Sequence, residues 1–223
     1  MNKRLPYSIK IVSGILIFFI SVLPAQDYKL QEHHSEKIID GIYREIVLED
    51  FETFSPGESD IRQFGPGKPI IEPRTDFPSP RPGSQKYLSW FIPFESADRL
   101  RLTWPSPLVI NGYLREIKIW VQSTHLPGSL SLLVKDARGI VHLLNLGTLN
   151  FRGWQQLTIK TPDNIFQDDF YPGHNSQIKI LALQYEPGPV SRKRKRQVFA
   201  TDDLTAFVRE KYILPAEDRK SVV

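Results

Sequence analysis

The chain of 223 residues contains no cysteine. That removes disulfides, thiolate metal sites and thiol nucleophiles at one stroke. A domain of this length can still hold together, because it buries enough surface to dispense with covalent staples. Three mechanistic signatures are also missing: a Gly-rich phosphate loop, a Gly-x-Ser-x-Gly elbow and a His-Glu-x-x-His helix. No long stretch carries the 3.6-residue apolar period of an amphipathic helix. Long apolar runs are confined to the N-terminus.

There, Lys3, Arg4 and Lys10 precede an apolar run over 11–22 and a small residue at Ala25. The run is shorter than the roughly 20 residues of a spanning helix. Residues 1–25 are therefore predicted to be a signal peptide, cleaved after Ala25, with an uncleaved anchor as the competing reading. The formal charge of +4 includes the three leader cations, which leaves +1. A near-neutral remainder predicts no nucleic-acid partner and, after cleavage, no membrane anchor. An exported, cysteine-free domain fits the periplasm.

What is present is punctuation and alternation. Eighteen prolines and thirteen glycines favour turns over helices. Ile117, Ile119 and Val121, then Leu130, Leu132 and Val134, fall on alternate positions, which places each set on one face of a strand. Further strands are expected over 44–52, 86–94, 99–104 and 177–185, with a closing strand over 198–208 interrupted by Asp202-Asp203, and a hairpin turn at Asp136-Ala137-Arg138-Gly139. The prediction is an all-β protein, a jelly-roll-type β-sandwich like that of carbohydrate-binding modules, with long loops. The expected division is a polar segment over 26–42, a sandwich over 43–214 and a tail over 215–223. Within the sandwich lie a Pro/Gly-rich excursion over 55–84 and a basic loop over 187–197.

Several constellations invite a functional reading. His33, His34 and Glu36 are possible zinc donors, but a solvated terminal segment explains them as well. Glu49, Asp50 and Glu52 suit an acid–base pair or calcium, or simply the polar end of a strand. Leu88, Trp90, Ile92 and Phe94 are either a sugar-stacking platform or half-buried sandwich packing, and the second is favoured. Arg192, Lys193, Arg194, Lys195 and Arg196 form a dense basic run, either a solvated loop tip or a docking patch for an acidic protein surface. Trp120, Trp154, Leu157 and Ile159 are expected in the structural core. No catalytic, cofactor or metal residue is assigned.

Ile119-Trp120-Val121, the Leu-rich strand ending at Lys135-Asp136 and Gly139-Ile140-Val141-His142 occur in a recognisable order. They are followed by the Phe151-Arg152-Gly153-Trp154 core, Thr161-Pro162 and Thr201-Asp202-Asp203-Leu204, and preceded by Glu49-Asp50-Phe51-Glu52. In this order and spacing, from 44 to 209, the chain resembles the spirochaete flagellar filament outer-layer protein family, FlaA. The Gln122-Ser123 pair and the basic run depart from that pattern. The resemblance implies a non-enzymatic subunit of the sheath of the periplasmic flagellum, coating core flagellin of the FlaB class beside other sheath proteins. It also implies a contribution to filament curvature, stiffness and motility.

Overall fold

A computed structural model describes residues 42–64, 68–92, 99–168, 176–189 and 196–211. Among the described residues, eleven strands form two antiparallel sheets. The six-strand sheet runs β3 (Ile70–Arg74), β4 (Tyr87–Ile92), β11 (Gln197–Arg209), β6 (Tyr113–Thr124) and β9 (Arg152–Lys160), with β1 (Arg44–Glu49) also on β11. The five-strand sheet runs β2 (Ile61–Phe64), β5 (Arg99–Ile110), β10 (Ile178–Pro187), β7 (Gly128–Lys135) and β8 (Val141–Thr148). This is the β-sandwich that the alternating pattern predicts.

The core lies between the sheets and is built from one face of each strand. Ile117, Ile119 and Val121 of β6 and Leu130, Leu132 and Val134 of β7 are all buried. Trp90 stacks on Phe199 at 5.0 Å between ring centres, and Tyr185 lies 4.8 Å from the same ring. The polar tips of these rings are satisfied inside. Trp90 Nε1 donates to Thr201 Oγ1 at 3.0 Å, and the Tyr185 hydroxyl donates to Gln197 Oε1 at 2.9 Å. Gly128 opens β7 because a Cβ there would sit 2.6 Å from Tyr185 Cε2.

Two strands differ from expectation. β5 does not stop at Trp104 but continues to Ile110 through Pro105 and Pro107. It pairs with β10 over Leu100–Thr103 and again over Leu108–Ile110, and the prolines fall in the irregular stretch between. A proline costs a strand nothing where no ladder donor is required. β11 is not a peripheral closing strand. β6 pairs along one edge of it, while β4 and β1 share the other, one on each half. Both faces and both edges are covered, so nearly every residue of β11 is buried.

The expected interruption at Asp202-Asp203 is a β-bulge. The β11–β6 register shifts there, and Asp203 takes a left-handed φ of 46°. The 136–139 turn is a hairpin between β7 and β8, with Gly139 at φ 85°. The Asp136 carboxylate organises it, accepting from the Arg138 and Ile140 amides at 2.9 Å each and meeting His142 Nε2 at 2.9 Å.

Candidate functional site

The sandwich has two outer faces, one on each sheet, and the two differ in chemistry. On the six-strand sheet the Pro/Gly-rich excursion decides what is left open. It is not one loose loop: β2 adds an edge to the five-strand sheet and β3 adds an edge to the six-strand sheet. Residues 75–86 then form a strap across the outer face of the six-strand sheet. Phe77 reaches Trp154 on β9, at the opposite edge from β3, and stacks on it at 6.4 Å.

The bulge anchors the middle of that strap. Arg81 pairs with the buried carboxylate of Asp203, and Ser79 Oγ lies 3.5 Å from the same group. Ser84 Oγ donates to Asp202 at 2.6 Å. Burial pushes the Asp202 carboxyl above its ordinary value, and the Ser84 hydrogen bond offsets part of that rise. At the strap's end, Glu52 accepts from the Gln85 and Lys86 amides at 2.6 and 3.2 Å. Tyr87 closes the turn by donating to Asp76 at 2.7 Å. Burial, then the Asp76 carboxylate, push the Tyr87 hydroxyl up to about 12.

The acidic cluster near β1 is thus absorbed by the backbone. Glu49 accepts from the Phe51 amide and Asp50 from the Glu52 amide, each at 3.1 Å. Burial raises the Glu49 pKa, and the Phe51 amide acts against it. Among the described residues, no group of three or more His, Cys, Asp or Glu is placed to hold a metal ion. His33, His34 and Glu36 lie outside the described residues.

Trp120 and Trp154 do not sit in the core. They are half-buried on the strapped outer face, because their cross-strand partners Gln156 and Gln122 point away from the buried Ile119 and Val121. Leu157 is buried and Ile159 packs against the core from a partly buried position. Two further cations of this sheet have carboxylate partners. Lys118 pairs with Glu116 at 3.0 Å, and Arg74 meets Asp76 at 3.1 Å.

The outer face of the five-strand sheet is different. The β2–β5 register sets Arg62 beside Arg101 and Phe64 beside Arg99. The guanidinium carbons of Arg62, Arg99 and Arg101 lie 5.1, 5.2 and 5.6 Å from the Phe64 ring centre. Arg101 also donates to Gln184 Oε1 through Nε and Nη2 at 3.1 and 2.7 Å. Burial lowers the Arg101 pKa, and Arg62 and Arg99 lower it further. Among the described residues, none of the three has a carboxylate within ion-pairing distance. Single-sequence reading overlooked this cluster. The signal was there as Arg62-x-Phe64 and Arg99-x-Arg101, each on one face of a strand, but only strand pairing unites them.

Of the predicted basic contact run, Arg192, Lys193, Arg194 and Lys195 lie outside the described residues. Arg196 is exposed, with its guanidinium 5.7 Å from the Phe91 ring centre. A separate open groove of about 700 Å³ lies where β6 begins, among Tyr113, Arg115, Lys160, Thr161 and Phe166.

The described residues thus form a two-sheet body whose outer faces are chemically distinct. Residues 92–213 match the family described as flagellar filament outer layer protein, and the chain belongs to that family. It is 30% identical over 88 residues to a putative flagellar filament outer layer-like protein of Brachyspira hyodysenteriae, covering 40% of this chain and 41% of that one. To a flagellar filament outer layer protein of Borreliella burgdorferi it is 29% identical over 149 residues, covering 62% and 43%. The chain thus spans less than half the length of either relative. Among solved structures it is similar to TmCBM61 in complex with β-1,4-galactotriose, with 16% identity and a TM-score of 0.48, covering 74% of this chain and 99% of that one. A family 11 carbohydrate-binding module from Clostridium thermocellum gives 11% identity and a TM-score of 0.40, covering 75% and 98%.

Proposed function

We propose that this chain is a non-enzymatic structural subunit of the outer layer, or sheath, of the periplasmic flagellar filament. It coats a core of flagellin of the FlaB class, lies beside other sheath proteins, and contributes to filament curvature, stiffness and motility. The observation that carries this reading is the family match, which runs through strands of both sheets, from the end of β4 past the end of β11. A double sheet closed on a dry core suits such a role, since close-packed interiors transmit strain with little compression. The basic run from Arg192 to Arg196 is a contact element in this reading, steering the subunit onto an acidic surface.

The test is direct. Flagella purified from the periplasm are expected to contain this protein, and its deletion is expected to alter filament diameter and curvature in images of intact filaments. Flagella that contain none of it overturn the reading.

A second reading, glycan binding, is motivated by one feature: Phe77 is 56% exposed while stacked on Trp154. Retention on a glycan or peptidoglycan resin, lost in Phe77→Ala, is the outcome that reading requires.

A further inference from the structure

Among the described residues, the outer face of the five-strand sheet is mostly cationic. The registers of β2, β5, β10 and β7 place Arg62, Arg99, Arg101, Lys135 and Lys179 on it, with Glu186 the one acid that these described strands add. Clustering like charges costs free energy, and three guanidinium groups around one phenyl ring are held by the fold rather than by each other. The strands hold them so, although nothing in the core requires an arginine at an outward position.

We propose that this face is a docking surface for a carboxylate-bearing segment of another protein chain, received by Arg62, Arg99 and Arg101 around Phe64. The chemistry of the three groups narrows the partner. A guanidinium presents a planar fork of N–H donors that fits a carboxylate through two parallel hydrogen bonds. Arg101 is already oriented by Gln184, so its fork loses less freedom on binding. Across the sheet, Val141 and Leu143 of the β8 edge are 52% and 54% exposed. The same sheet thus exposes arginine at one edge and apolar side chains at the other, a mixture that suits a protein partner. A nucleic acid asks instead for cations along an extended track.

This inference does not depend on the sheath reading, which would only name the partner. The experiment uses the purified chain and a fluorescent poly-L-glutamate peptide, with anisotropy read at low and physiological salt. Arg62→Ala/Arg99→Ala is compared with Arg152→Ala/Lys160→Ala, which removes the same charge from the other sheet. Both pairs change exposed side chains, so folding is checked by thermal melting and is expected to be unaffected. The expected result is peptide binding that weakens about tenfold in the first variant, the equivalent of two exposed ion pairs. The second variant should bind as wild type, and binding should fall with salt. No peptide binding, or equal loss in both variants, overturns the proposal. Tighter capture of a single-stranded oligonucleotide or of phosphatidylglycerol vesicles through the same two arginines also overturns it. The sheath reading is judged separately, by whether the wild-type chain is present in purified flagella.

Discussion

The two outer faces of one sandwich have solved the same problem differently. On the six-strand sheet, Arg74, Arg81 and Lys118 each meet a carboxylate of the same chain, and the strap over 75–86 covers part of the aromatic surface. On the five-strand sheet, among the described residues, Arg62, Arg99 and Arg101 meet one another, a ring and an amide rather than a carboxylate. On the first face these three pairs are made within the chain, so their charges belong to the folding free energy. The second is left unbalanced, so its charges contribute little to folding and remain available for association.

The comparison breaks most easily at Arg81. Arg81→Ala strands the Asp203 carboxylate, 2% exposed, without its guanidinium. The expected cost is about 3 kcal/mol, in line with breaking a buried pair from one side. Urea unfolding measures it, and a loss below about 1 kcal/mol would mean that the strap is not anchored at the bulge. Trp154→Ala should come next, at about 1–2 kcal/mol, because the ring is half-buried under Phe77 rather than enclosed. A loss as large as that of Trp90→Ala, about 3–5 kcal/mol, would put it functionally in the core.

Acid titration sharpens the contrast through two carboxyls of opposite sense. At Asp136, burial acts to raise the pKa, but hydrogen bonds from His142, Ile140 and Arg138 outweigh it and leave the group below its ordinary 3.8. Its stabilisation is present above 3.8 and is lost as pH falls through the folded value. Asp202 is raised, so its favourable contribution is present below 3.8 and is lost as pH rises through the folded value. Asp136→Asn should therefore flatten the loss of stability on acidification, and Asp202→Asn should steepen it. Urea midpoints across an acid series read both slopes, and identical slopes would refute the assignment. The smallest expected effect is on the other face. Arg62→Ala/Arg99→Ala should change stability by no more than about 0.5 kcal/mol, as for surface charges without partners. A loss of several times that would mean the arginines serve the fold.

Much of this fold was legible beforehand because one face of each strand is buried, and burial writes itself as alternation. Ile117, Ile119 and Val121 could be assigned to the core without knowing which strands pair. β11 was harder. It is covered on both faces, so its residues do not alternate cleanly, and the Asp202-Asp203 bulge resembled an interruption rather than an anchor. Trp120 and Trp154 misled because an aromatic in a strand carries no label of side. Only their register against Gln156 and Gln122 places them outside. The arginine cluster was invisible for a related reason: Arg62 and Arg101 are far apart in sequence and meet only through the β2–β5 ladder.

The position of β11 also bears on the order in which the molecule can assemble. β1, β4 and β6 all pair with it, yet it is the last of the described strands in sequence order. Until residues 197–209 are available, the six-strand sheet can exist only as separate hairpin-like pairs, β3 with β4 and β6 with β9, with β1 unattached. Long-range pairing of this kind is slow and comes late, because loop closure must precede the contacts that reward it. A chain that emerges N-terminus first therefore waits for residues 197–209 before the six-strand sheet can close around β11.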